Sequence, residues 1–217
     1  MKRGIVKYYP IFLNLGGKEC VVIGGGQVAW RKVKTLLKSG AIVEVISPVL
    51  CAGLTKLAAK QRIRTIERPY EEGDIQGVFL AIAATDDAKI NLRIAEEAKI
   101  SRVPVNIADD AAGSDFIIPS SIRRGDITIA ISTSGKSPAL ARKIRAELEE
   151  QFGEEYNLLA SLVEEVRREL KLLHLKISND SWQKALDLDI LVELLKKGER
   201  EKAREVLRNN LRLSCEK

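Results

Sequence analysis

In the first half of the chain, short unbroken apolar runs alternate with longer stretches in which apolar residues return every three or four positions. Residues 19–23 (ECVVI) are the first run and 24–29 (GGGQVA) follow at once, an order that predicts strand, tight turn and helix. In that helix Val28, Ala29, Val33, Leu36 and Leu37 share one face, Arg31, Lys32, Lys34 and Lys38 take the other, and Gly40 ends it. Residues 42–46 (IVEVI) form the next strand. The alternation continues with a short helix at 54–61, a strand at 63–67, a strand at 78–84 (VFLAIAA), a helix at 91–99 and a strand at 103–107. Nearly continuous apolar runs between amphipathic helices predict a parallel sheet covered on both faces.

The pattern changes after Gly113. Residues 116–119 (FIIP) start a second sheet element, Arg123, Arg124, Gly125 and Asp126 form its turn, and 127–131 (ITIAI) its next strand. Ser137 suits a helix N-cap and Pro138 the first helical position, with the helix running over 139–150. Beyond Gly153 the periodicity is helical throughout. Leu158, Leu159, Leu162, Val163, Val166 and Leu170 form one stripe, and Asn179-Asp180 breaks it. Trp182, Leu186, Ile190, Leu191 and Leu194 form a second stripe up to a break at Gly198, and Ala203, Val206, Leu207 and Leu211 a third. The expectation is an α/β fold with an N-terminal Rossmann-like parallel sheet in 1–113, a small α+β segment in 114–150 and a helical domain in 151–217.

Composition excludes more than it selects. Of 217 residues 45% are apolar and 30% charged, and no run approaches the roughly 18 apolar residues of a membrane span. The first ten residues lack the apolar core and cleavage site of a signal peptide, so a cytoplasmic protein is expected. Cys20, Cys51 and Cys215 are widely spaced and encode neither a disulfide framework nor a zinc knuckle. With His174 the only histidine, chemistry that needs paired histidines is excluded and no metal site is expected. The net charge of +6 fits an anionic partner, but aromatics are only 5% and the basic residues are spread along helices, which argues against nucleic acid.

The candidate chemistry lies in the loops. Gly24-Gly25-Gly26-Gln27-Val28-Ala29 reads G-x-G-x-x-A between strand and helix, the dinucleotide fingerprint in its proper context. Gly24 permits the turn, Gly26 lets a pyrophosphate approach the backbone, Ala29 permits close helix packing, and the N–H groups of Gln27 and Val28 face the anion. Where the second strand ends, a ribose-binding acid is usual and this chain has Ser47, which leaves NAD against NADP open. Arg31 and Lys32 read as a solvated helix face. Thr85, Asp86 and Asp87 follow one strand, and Asn106, Asp109 and Asp110 close another, so Thr85 and Asn106 are candidate cofactor contacts. Acids in such places also cap helices. Residues 132–138 (STSGKSP) place Ser134, Gly135, Lys136 and Ser137 at a helix N-terminus with Arg142, Lys143 and Arg145 beyond, an anion site that lacks Walker spacing. No tyrosine has lysine four positions on, which excludes short-chain dehydrogenases.

Taken together, 9–15 (YPIFLNL), the glycine-loop unit, AATDD, VNIADD, FIIPSSI and ISTSGKSPALARKIR resemble precorrin-2 dehydrogenase, the NAD-dependent module of siroheme synthase, over roughly residues 8–150. The resemblance implies oxidation of precorrin-2 to sirohydrochlorin with NAD, in some members with ferrochelatase activity on ferrous iron in the same site, and a homodimer built through the middle segment. It places cofactor contacts on Gly24, Gly25, Gly26, Gln27, Val28, Ser47, Pro48 and Val49, and the essential aspartate on Asp109. Thr133 stands where some relatives carry serine. A catalytically silent NAD-sensing module is the alternative; it would keep an acid at Ser47 and have no need of NIADD or SGKSP. A substrate ringed by carboxylates suits the basic loop of Ser134, Gly135, Lys136, Ser137 and Arg142.

Overall fold

The computed structural model describes residues 8–215, with side chains through 212, so most of the N-terminal decapeptide and the Cys215 side chain lie outside it. The chain divides into one unit ending at Ile118 and a second beginning at Pro119.

The first unit is built on five parallel strands in the order β3-β2-β1-β4-β5: β1 (Glu19–Ile23), β2 (Ile42–Ile46), β3 (Arg64–Ile66), β4 (Leu80–Ala83) and β5 (Val105–Ile107). The helices between them are α1 (Gln27–Lys38), α2 (Ala52–Ala59) and α3 (Ala88–Ser101). Because side chains alternate across a strand, Cys20 and Val22 of β1 enter one core with Ala29, Val33 and Leu36 of α1, while Val21 and Ile23 enter the other with Ile94 and Ala98 of α3. Both faces are dry, which is why the strands read as unbroken apolar runs. The fold expected for this half is the one observed.

The register fixes the site. Ile23 pairs with Ile46 and with Ala83, and Ala83 pairs with Ile107. Four strands therefore end level, and the residues after them, Gly24, Ser47, Ala84 and Ala108, leave from one sheet edge.

Differences from the sequence reading have local causes. The strands expected at 63–67, 78–84 and 103–107 are shorter because Ile63 and Val103 are buried outside the ladder, where they plug the core. The helix expected at 91–99 starts at Ala88, because Asp87 caps it by accepting hydrogen bonds from the Lys89 and Ile90 N–H groups. The helix expected at 54–61 is shifted toward the N-terminus, and Gln61 sits just past its end with φ 53°.

In the second unit β6 (Ser120–Arg124) and β7 (Ile127–Ile131) form an antiparallel hairpin. The expected sheet element at 116–119 is not a strand: Phe116 packs on the first unit's core, and the turn is only Gly125-Asp126, closed by the Arg124–Ile127 pair. Arg124 belongs to the strand and donates from Nε to the Phe152 carbonyl at 2.9 Å.

The helices that follow are α4 (Pro138–Gln151), α5 (Glu155–Leu172), α6 (Asn179–Ala185), α7 (Leu188–Lys196) and α8 (Arg200–Cys215). Asn179-Asp180 does not break a helix but opens α6, with Ser178 as its cap, and the single helix expected over 182–194 is two, divided where Asp187 caps α7. Leu158 and Ile190, assigned to the buried stripes, are exposed, while Leu159, Leu162, Val166, Leu191, Ala203, Leu207 and Leu211 form the core.

Candidate functional site

The glycine loop is held by the strands it connects. Gly24 has φ 120° and donates its N–H to the Ile46 carbonyl at 2.9 Å; a Cβ there would lie 2.2 Å from the Ala84 carbonyl oxygen. A Cβ on Gly25 would lie 1.8 Å from the Val49 carbonyl oxygen, so the loop after β2 packs directly on it. Both positions require glycine for the fold.

Gly26 differs. It caps α1 in an extended conformation (φ −81°, ψ −172°), and an added Cβ would meet no atom within 4 Å. No protein neighbour explains a glycine here. The open space belongs to a cleft of about 820 Å³ lined by the loop at 24–28, the loop at 47–51, Tyr70, and the segment at 84–87. A pyrophosphate against the α1 N-terminus fits this cradle by its size, its backbone donors and its dipole.

Around the cleft, each expected residue has a definite place. Ser47 is 7% exposed and its hydroxyl donates to the Val49 carbonyl at 2.9 Å, so it shapes the loop rather than offering a free donor to a ribose. Pro48 and Val49 line the cleft, and Val49, 75% exposed, presents a bare apolar surface beside it. Thr85 also lines the cleft; its hydroxyl donates either to the Asp87 carbonyl or to the Asn91 side chain (2.7 Å), and it accepts from the Asp87 N–H.

Tyr70 forms part of the wall, its phenol donating to the buried Glu97 carboxylate. Burial, followed by that bond and the Glu97 charge, raises the Tyr70 pKa well above its ordinary value. Arg68 holds the preceding turn through Asp74 at 2.6 Å, and its guanidinium pulls the Asp74 carboxyl below the usual range.

Asn106 does not face the cofactor cleft. It is 6% exposed, its Oδ1 accepts from Lys32 Nζ at 3.2 Å and its Nδ2 donates to the Phe116 carbonyl at 2.9 Å, so both ends of the amide are engaged within the protein. The expected cofactor contact is thus replaced by a latch between β5, α1 and the chain that returns along β5.

Asp109 stands two residues beyond β5, exposed and with φ 61°. Asp110 is different in kind: its Oδ1 accepts from the Ala112 and Gly113 N–H groups at 2.9 and 3.1 Å, closing the turn that returns the chain.

Sequence reasoning missed Lys32. It was placed on the solvated face of α1, yet it is half-buried against Asn106, close enough to Asp109 for their charges to interact. Desolvation lowers its pKa, opposed by the Asp109 charge. The signal was present: Lys32 lies three residues after Ala29 and four before Leu36, both buried, so it flanks the buried stripe.

In the second unit the basic loop has the expected cap, Ser137 Oγ accepting from the Leu140 N–H at 3.2 Å. Thr133 Oγ1 accepts from the Ser137 N–H at 3.0 Å, and Ser134 and Gly135 turn the chain at φ 53° and 79°. Lys143 and Arg145 pair with Glu147 and Glu149 at 3.3 and 2.6 Å and so add little to the positive field. Lys136 and Arg142 form no ion pair among the described residues. His174 is exposed at the end of α5, with φ 56°. Among the described residues no group of three potential ligands could hold a metal, and no helix is long and apolar enough to cross a membrane.

Strand order, level strand ends and the glycine cradle define a dinucleotide-binding Rossmann protein. The chain belongs to the family described as "Putative NAD(P)-binding", which matches residues 11–120, and residues 124–151 match the family described as sirohaem biosynthesis protein central. Its cofactor is a nicotinamide dinucleotide.

The siroheme synthase of Thioalkalivibrio sulfidiphilus is 38% identical over 206 residues, covering 94% of this chain and 42% of the relative. The siroheme synthase of Photobacterium profundum is 42% identical over 163 residues, covering 75% of this chain and 35% of the relative. The chain thus spans about two fifths of the length of these curated relatives. Among solved structures, SirC, a precorrin-2 dehydrogenase, superposes with TM-score 0.69 at 28% identity, covering 94% of this chain and 98% of that one.

Proposed function

We propose that this chain oxidises precorrin-2 to sirohydrochlorin in siroheme biosynthesis, with NAD as hydride acceptor. The observation that carries the reading is the match to a precorrin-2 dehydrogenase over nearly the whole of both chains, added to a cleft whose one unforced glycine opens on the α1 N-terminus.

Gly24 to Val28 hold the pyrophosphate with backbone N–H groups, and Pro48, Val49 and Thr85 line its flanks. When bound, the nicotinamide supplies the acceptor for a hydride leaving a ring carbon. Asp109 takes the proton released in the same oxidation, since the first unit contains no histidine to do so. Position supports this role, because Asp109 leaves the edge from which the glycine loop also leaves.

Lys136 and Arg142, with the loop at Ser134, Gly135 and Ser137, bind carboxylates of the tetrapyrrole; their unpaired charge supports this. Lys136→Glu combined with Arg142→Glu is expected to raise the KM for precorrin-2 roughly tenfold, the loss of about one charge-assisted bond, with NAD affinity unchanged. Equal losses for both ligands would rule out a carboxylate role.

The functional division proposed is an NAD-binding segment at 1–113, a dimerisation and substrate segment at 114–150 and a helical domain at 151–217. The isolated two-stranded sheet of β6 and β7, with unpaired edges, supports a homodimer formed there. Ferrous iron as a second substrate and a cytoplasmic location belong to the same reading. The deciding experiment incubates the protein anaerobically with precorrin-2 and NAD: NADH should form in proportion to sirohydrochlorin, and its failure to form would overturn the proposal.

A further inference from the structure

We infer that Lys32 is a positioning residue of this dehydrogenase, its ammonium fixed on the Asn106 amide so as to hold Asp109 as the proton-accepting anion. The inference rests on the assignment of Asp109 as proton acceptor.

A half-buried ammonium is costly unless something compensates it. Here the nearest compensation is a neutral amide oxygen at 3.2 Å rather than a carboxylate in salt-bridge contact. The amide cannot turn its NH₂ toward the lysine, because Nδ2 is engaged by the Phe116 carbonyl and Asn106 is buried. Asn106 thus presents a fixed acceptor that anchors the charge near Asp109 without neutralising it. The Asp109 charge is the attraction that opposes desolvation of Lys32, and by reciprocity the ammonium favours the Asp109 anion.

The other charged groups about this edge do not substitute for it. Arg31 precedes Lys32 on α1, is exposed, and acts on Lys32 by repulsion. Asp110 has a carboxylate oxygen on the Ala112 and Gly113 N–H groups, and Asp115 accepts from the Val105 N–H at 3.0 Å. Both acids would disfavour a second negative charge beside them, so Lys32 is the group that offsets their effect. A macrocycle seated over the edge would exclude water between Lys32 and Asp109 and strengthen their attraction.

The test is the pH dependence of kcat/KM for precorrin-2 at saturating NAD. Lys32→Gln removes the charge and keeps an amide donor for Asn106; Lys32→Met removes both. In either variant the acid limb should move to higher pH by roughly one unit, because the neighbouring carboxyl loses a cation that favoured its ionised form. Lys32→Arg should return it, and NAD affinity by calorimetry should stay within twofold of the parent.

A purely structural lysine would lower activity evenly at all pH values, and an unmoved acid limb in Lys32→Gln overturns the inference. Asp109→Asn separates this failure from the larger one. If Asp109→Asn turns over at the parent rate, the proton-acceptor assignment falls and takes the inference with it. If it is inactive while the Lys32→Gln limb is unmoved, only the role of Lys32 is wrong.

Discussion

Asp109→Ala is expected to bind NAD as the parent does and to lose dehydrogenation of precorrin-2 by about 10²-fold or more, the cost of removing a positioned acid or base. Its side chain is exposed two residues beyond β5, so truncation removes no core contact and no turn bond, and a fall in kcat would report chemistry rather than folding. The neighbouring aspartate provides the control. Asp110→Ala removes the acceptor of two backbone N–H groups at the return turn, which should lower stability by roughly 1–2 kcal/mol while leaving kcat near the parent value. Single-turnover NADH formation and thermal melts of the two variants make the comparison. Parent activity in Asp109→Ala would remove it from the mechanism, and a large loss in Asp110→Ala with an unchanged melt would transfer the role to its neighbour.

That contrast was only half legible in the sequence. NIADD at the end of an apolar run announces acids at a strand terminus, and strand ends in a parallel sheet are where chemistry collects. Which acid closes a turn depends on where the chain goes next, and the fold of 110–115 back along β5 is set by Ser114 and Asp115, whose side chains meet Ile107 and Val105. Asn106 shows the same limit from the other side. Its position at the edge is readable, whereas its engagement by Lys32 and Phe116 depends on contacts 74 and 10 residues away. Lys32 itself was misread because amphipathicity was counted by residue type. A long side chain can lie along the apolar stripe and deliver its charge at the end of it.

The β strands were better served. In β1 and β2 the apolar runs coincide with the hydrogen-bonded ladder, since both faces of these central strands are dry and nothing but pairing ends them. At the sheet margins, burial continues past pairing, and apolar pattern overestimates strand length. The helical half failed at its junctions for one reason: Ser178 and Asp187 are polar interruptions in an apolar periodicity, and each is an N-cap that starts a helix rather than a breaker that ends one.

Gly26→Asp should separate binding from stability by moving them in opposite directions. The backbone at Gly26 is extended and an added Cβ meets nothing, so the fold can accept the side chain without strain. Aspartate is also a favoured N-cap and places negative charge at the positive end of α1, so the melting temperature should stay level or rise, by the equivalent of up to about 1 kcal/mol. The same carboxylate would occupy the space of the pyrophosphate, repel its charge and compete for the N–H groups that should receive it. NAD affinity should therefore fall by about 10³-fold or more, which at roughly 1.4 kcal/mol per decade is about 4 kcal/mol. Gly24→Ala makes the opposite case: at φ 120° with the Ala84 carbonyl 2.2 Å from the new Cβ, it should destabilise the fold itself. Calorimetric NAD titration beside thermal melts reads both. Parental NAD affinity in Gly26→Asp would place the dinucleotide elsewhere, and a collapsed melt would show that Gly26 is held by protein contacts rather than kept open for a ligand.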